Sequence, residues 1–163
     1  MSERSQRPVC FGVIGGSGVY QVQGVEIVAE HDLSTPFGRP SDPVVEAEVN
    51  GPRVFFLPRH GQGHRYLPSE VPYRANVHVL KQLGVTHLLA VSAVGIMQEQ
   101  IKPGDMVIPD QIFDRTKGIR PSTFFGDGIA GHVSLADPFC DELRGVLATS
   151  ASACGATVHE GGT

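Results

Sequence analysis

Three short apolar runs, each ending in a loop of small and polar residues, do most to restrict what this chain can fold into. Val9–Ile14 runs into Gly15-Gly16-Ser17-Gly18, Val54–Leu57 into Pro58-Arg59-His60-Gly61, and Thr86–Val91 into Ser92-Ala93-Val94-Gly95. The second run is continuous rather than alternating, as in strands covered on both faces, and the third reads as another buried strand. Val25–Leu33 and Val44–Val49 alternate in polarity, as half-buried strands do, and Asn50-Gly51 is a hairpin signal because both residues tolerate positive φ. Helical spacing is confined to two stretches. One starts at Pro72 and runs to about Leu83, with Gly84 as its carboxyl cap. The other opens with Asp137 as N-cap and Pro138 at the first helical position. Its stripe is Phe139, Leu143, Val146, Leu147, Ala151 and Cys154, and Gly155 ends it. Met106–Phe113 and Ala156–His159 read as further strands.

Strand-helix-strand order with buried runs predicts an α/β domain whose central sheet is mixed, largely parallel and flanked by helices. Such sheets hold ligands beyond the carboxyl ends of their strands, where all three loops sit. A chain of 163 residues is one domain, 1–163, with room for a sizeable core. Hydrophobic residues at 40% and charged residues at 18% describe a folded globular chain. A net charge of −4 without a basic stripe argues against nucleic acid as a partner. Met1 to Pro8 is polar, and no apolar run approaches the roughly 20 residues that span a bilayer, so no membrane is expected and the location reads as cytoplasmic. Cys10, Cys140 and Cys154 form no CxxC pair and read as buried free thiols of a reducing compartment. Lys117–Gly131 reads as a long surface loop, and Phe124-Phe125 within it are expected to dock on something.

Arg59, His60, His64 and Arg65 crowd one loop. Arginine brings a permanent fork of donors and glycine lets backbone approach a ligand, so the cluster suits a small oxyanion. The alternative is a loop held by histidine hydrogen bonds. A metal reading of His60 and His64 lacks a third ligand and a helix to carry the spacing, so no metal is expected. The glycine turn at Gly15–Gly18 fails the dinucleotide spacing at Gln21 and lacks the lysine of a P-loop. It is either a nest of N–H groups for a single phosphate, with Ser17 adding a hydroxyl, or a plain tight turn. Ser92 to Gly95 is in the same way a donor against a ligand or a packed strand-to-loop turn.

Taken in order, GVIGGSGVY, TPFGRPSDPV, PRHGQGH, PSEVPYRANVHVLKQLGVTHLLAVSAVG, IKPGDMVIPDQIFDRT and HVSLADPFC closely resemble the methylthioadenosine phosphorylase family. That family is a branch of the trimeric purine nucleoside phosphorylases, and the resemblance runs from about Phe11 to Thr163. It implies a nucleoside phosphorylase-like fold and phosphorolysis of a purine nucleoside, most simply 5'-methylthioadenosine, in purine and methionine salvage. Phosphate attacks C1', the purine leaves, and a sugar 1-phosphate forms. Purine nucleoside and phosphate are the implied ligands, a homotrimer the implied assembly, and no cofactor is implied beyond phosphate as co-substrate. By resemblance, phosphate is bound by Ser17, Arg59, His60, Ser92 and the backbone of Ala93. Substrate is lined by Val94, Gly95, His64 and His132, the last reaching a sugar 5' substituent across a subunit boundary.

Family members continue into a glutamate-glycine-proline segment, a methionine that contacts ribose, and aspartates that hydrogen-bond the purine and help protonate its N7. The chain is therefore expected to be an amino-terminal portion, with its catalytic leaving-group residues unknown. The same motifs fit a 6-oxopurine nucleoside or methylthioinosine phosphorylase, or an inactive anion-binding fragment. Arg-His-Gly after a strand also occurs in histidine phosphatases, but there it follows the first strand; here several strands precede it and Gln62-Gly63-His64 follows.

Overall fold

The computed structural model describes residues 8–16 and 24–163, which leaves Ser17 outside the described residues. The chain divides into two compact units, one running up to Ala93 and including Ile119–Pro121, the other formed by Val94–Gly118 and Ser122–Thr163.

The first unit contains β1 (Phe11–Gly15), β2 (Val25–His31), β3 (Val44–Val49), β4 (Arg53–Pro58), α1 (Tyr73–Gln82) and β5 (His87–Ala90), with a short 3-10 turn at Gln62–His64. Its sheet has the order β2-β3-β4-β1-β5. The trio β4, β1 and β5 is parallel, while β3 runs antiparallel to both β4 and β2. The predicted mixed α/β sheet is what forms. Asn50 and Gly51 have φ of 52° and 106°, the left-handed pair that a tight hairpin turn between β3 and β4 requires. Val49 N–H donates to Pro52 O at 2.9 Å and closes that turn.

Helix α1 turns Ala75, Asn76, Val79 and Leu80 inward. Val79 and Leu80 join Ile14, Val44, Phe55 and Leu57 in one core cluster, so the helix seals one face of the sheet over three strands. Burial of each such side chain contributes about 1.5–3 kcal/mol. Val45, Ala47 and Phe56 form a second cluster with Val13, Val25, Val49 and Val54. The run Thr86–Val91, read from sequence as a buried strand, is β5, which pairs with β1 alone among the described strands and whose residues alternate between partly buried and exposed.

The second unit contains β6 (Met106–Ile108), α2 (Asp141–Ala153) and β7 (Val158–Glu160), with β6 and β7 parallel. Strand β6 is shorter than the expected Met106–Phe113. Pro109 has no N–H to extend the ladder, and the amides of Asp110 and Gln111 turn to Gly162 O at 3.2 Å each. Helix α2 begins three residues after the expected Pro138. Cys140 takes the N-cap position without a side-chain cap, and the first helical bond runs from Arg144 N–H to Cys140 O at 2.9 Å. The expected stripe is only half covered, with Ala148 the buried residue of α2 and Val146 exposed. Cys140 and Cys154 are likewise exposed and Cys10 is half-buried, so the three free thiols are not the buried groups the sequence led us to expect. Phe124 and Phe125 are each more than 40% exposed, and the Phe125 ring lies so close over Gly131 that a Cβ there would overlap it. The ring therefore folds back on its own loop.

Candidate functional site

Parallel pairing brings the starts of the three loops flagged in the sequence, Gly16, Arg59 and Ser92, to one end of the first sheet. Gly15 lies opposite Pro58 in register, and Ile14 lies opposite Ala90. The ladder continues one residue past each strand: Arg59 N–H donates to Gly15 O, and Val91 N–H donates to Ile14 O, both at 2.8 Å. Neighbouring strands are about 4.8 Å apart. Gly16, Arg59 with His60, and Ser92 with Ala93 therefore leave adjacent strands at the same end. Ser92 and Ala93 are exposed, while Arg59 and His60 are half-buried.

The turn after β4 is held from below. Ser41, fully buried, donates its hydroxyl to Arg59 O at 2.7 Å. Asn76 of α1, 1% exposed, grips Ser41 at two points: Ser41 N–H donates to Asn76 Oδ1 at 2.7 Å, and Asn76 Nδ2 donates to Ser41 Oγ at 2.8 Å. Asp42 accepts the Gln62 amide at 2.5 Å and pairs with Arg65 at 3.2 Å, and Arg65 also donates to Ser41 O. Gly61 sits at φ 70°, with a Cβ there meeting Ser41 O at 3.0 Å and Arg65 Nε at 2.9 Å. Only glycine satisfies both conditions. His64, at φ 55°, adds a left-handed non-glycine residue to the same loop.

His60 has a defined tautomer. Its Nδ1 lies 2.9 Å from Tyr66 O, which can only accept, so Nδ1 carries the proton. Its Nε2 then offers a lone pair to Arg59 Nε–H at 3.3 Å. His64 stacks on His60, ring centroids 5.2 Å apart and planes 7° from parallel. The histidine hydrogen bonds anticipated as an alternative to an anion site are present, and one of them ends on Arg59 Nε. Arg39, Arg53, Arg65 and Arg144 each pair with a carboxylate. Arg59 pairs with none among the described residues, and its terminal nitrogens make no hydrogen bond there. A positioned guanidinium with its fork uncommitted has the geometry and charge that an oxyanion would require.

The remaining expected residues belong elsewhere in the chain. Val94, Gly95 and His132 lie in the second unit and are exposed there, Val94 at 73%. Sequence reasoning missed Ser41, Asp42 and Asn76. One signal was legible: Asn76 stands on the α1 face that carries Val79 and Leu80, a polar residue where the helical period calls for an apolar one. No cluster of three or more metal-ligating side chains occurs among the described residues.

Known proteins match the chain along almost its whole length. It is 57% identical to the S-methyl-5'-thioadenosine phosphorylase of Chloroflexus aurantiacus over 153 residues, covering 94% of this chain and 53% of that protein. It is 54% identical to the enzyme of the same name from Geobacter sulfurreducens, again over 94% of this chain and 54% of the relative. A crystal structure of a methylthioadenosine phosphorylase from an antarctic soil metagenomic library superposes with a TM-score of 0.90 at 50% identity, covering 96% of this chain and 55% of that one. The chain thus spans about half the length of the relatives it matches. The family model of the phosphorylase superfamily matches residues 11–163, and the chain belongs to that superfamily.

Proposed function

We propose that this chain supplies the phosphate-holding half of a purine nucleoside phosphorylase that cleaves S-methyl-5'-thioadenosine to adenine and a methylthioribose 1-phosphate. The observation that carries this reading is Arg59, half-buried at the carboxyl end of β4, with no carboxylate partner among the described residues and its Nε on His60 at 3.3 Å. The substrate follows from the shared name of relatives more than 50% identical to the chain.

Phosphorolysis demands little covalent work from the protein. As the glycosidic bond stretches, positive charge develops at C1', and a phosphate dianion fixed beneath it stabilises that charge while attacking. Arg59 and the donors near it act by holding the dianion in place and by electrostatics. The fork of Arg59 takes two phosphate oxygens, and His60, tethered through Nδ1, orients the guanidinium. Ser17, the Ser92 hydroxyl and the Ala93 amide complete the phosphate contacts. Val94, Gly95, His64 and His132 are assigned to the nucleoside, with His132 serving a neighbouring protomer of a homotrimer. Phosphate is a co-substrate, and the reaction as written uses no cofactor or metal.

The test is phosphate-dependent release of adenine from S-methyl-5'-thioadenosine, measured on the chain alone and on the chain fused in frame to the remaining part of the Geobacter relative. The fusion is expected to turn over only with phosphate present, and the chain alone at no more than about one part in 10² of that rate, for want of leaving-group assistance. Adenine release independent of phosphate, or none from a folded fusion, would overturn the proposal.

A further inference from the structure

We infer that Ser41 and Asn76 are positioning residues for the anion turn, setting where Arg59 presents its guanidinium without touching the ligand. The inference rests on the phosphate-binding reading of Arg59 and deepens it.

The geometry is a relay in series. Asn76 lies in the first turn of α1, on the face that carries Val79 and Leu80, and a buried amide there must have its hydrogen bonds met or it destabilises the core. It spends them on Ser41, one on the backbone N–H at 2.7 Å and one on the hydroxyl at 2.8 Å. The Ser41 hydroxyl accepts from Asn76 on one lone pair and gives its single proton to Arg59 O at 2.7 Å. The Arg59 amide is meanwhile fixed to Gly15 O at 2.8 Å. Both peptide groups of Arg59 are thereby immobilised, one by the sheet and one by the helix through Ser41. A side chain in the bend after a strand points where its backbone is held, so this double anchorage fixes the origin of the guanidinium.

A fold needing only stability at this point would more economically place an apolar residue at 76 and another at 41. Buried polar pairs cost desolvation and confer geometry instead. Here that geometry ends on the residue whose cation is uncommitted among the described residues. Asp42, next to Ser41, extends the same anchorage to the far side of the turn through the Gln62 amide and Arg65.

The experiment measures phosphate affinity by calorimetric titration of this chain, with the Arg59 Nε–H resonance followed by NMR. Ser41→Ala, Asn76→Leu and Val79→Ala are compared with wild type. Val79→Ala is the stability control, because Val79 is in the same helix and core but outside the relay. All three variants are expected to melt lower. Ser41→Ala and Asn76→Leu should also bind phosphate roughly fivefold to tenfold more weakly and broaden or shift the Arg59 Nε–H resonance. Val79→Ala, measured where it is fully folded, should keep wild-type affinity and resonance. Equal phosphate affinity in Ser41→Ala, Asn76→Leu and wild type would overturn the inference and leave the anion reading of Arg59 standing. Failure of folded wild type to bind phosphate would overturn that reading and the inference with it. Should Asn76→Leu fail to fold, Ser41→Ala decides alone, since it removes one hydroxyl and leaves the helix sequence intact.

Discussion

Replacing Arg59 by lysine keeps the charge at the turn and removes its shape. A unit charge about 4 Å from a phosphate oxygen retains roughly 4 kcal/mol of attraction at an effective dielectric near 20, and Arg59→Lys loses little of that. It does lose the second parallel N–H of the fork and the Nε–H that meets His60 Nε2 at 3.3 Å. A charge-assisted hydrogen bond is worth about 1.5–3 kcal/mol, so phosphate affinity should fall roughly tenfold to a hundredfold. Arg53→Lys is the matched control. Arg53 lies at the opposite end of β4, committed to Glu46 at 2.9 Å. It is about 20 Å along the strand from Arg59, well beyond the roughly 8 Å over which charges act in physiological salt. Calorimetric titration with phosphate should therefore separate the two variants, Arg53→Lys binding as wild type does. Equal affinity for Arg59→Lys and wild type would show that Arg59 does not hold the anion, however free its guanidinium.

Gly61→Ala forces a Cβ to 3.0 Å from Ser41 O at a φ of 70°. It should destabilise the first unit by about 1–2 kcal/mol, read as a lowered melting temperature, and weaken phosphate binding as the turn shifts. In the second unit, the Lys102 amide and His159 donate to Asp105, which holds its carboxyl below the ordinary aspartate value of 3.8. A depressed carboxylate lends stability that is complete above the unfolded value and fades as pH falls through the folded one. Thermal melts of Asp105→Asn and wild type should accordingly differ at neutral pH and converge below pH 3.8. A gap that stays constant down to strongly acidic pH would contradict this account.

The amino-acid sequence by itself determined the element types of the first unit and the loops that matter. Val44–Val49 forms β3 with the expected bounds, but it is not the half-buried strand its alternation suggested: Val44 to Ala47 are all buried, because Val44 packs with Val79 and Leu80 of α1 on one face and Val45 and Ala47 join a second cluster on the other. Asn50-Gly51 fixes the hairpin through backbone sterics alone, and Arg59, His60 and Ser92 stand out by chemistry that needs no coordinates. Boundaries were less legible wherever a distant partner decides them. The end of β6 depends on Gly162, more than fifty residues later, accepting the amides of Asp110 and Gln111. The neighbour of β5 depends on strand order, which no local pattern encodes. The support of the candidate site was hidden for the same reason. Ser41 and Asn76 are 35 residues apart, and Ser41 and Arg59 18 apart. Each looks unremarkable locally, a serine in a proline-flanked loop and an asparagine in a helix. Only packing α1 onto the sheet puts a buried amide under a buried hydroxyl and that hydroxyl under the arginine's carbonyl. A local rule can name the candidate residue; anchoring its backbone is a long-range hydrogen-bonding problem, and the tertiary structure alone solves it.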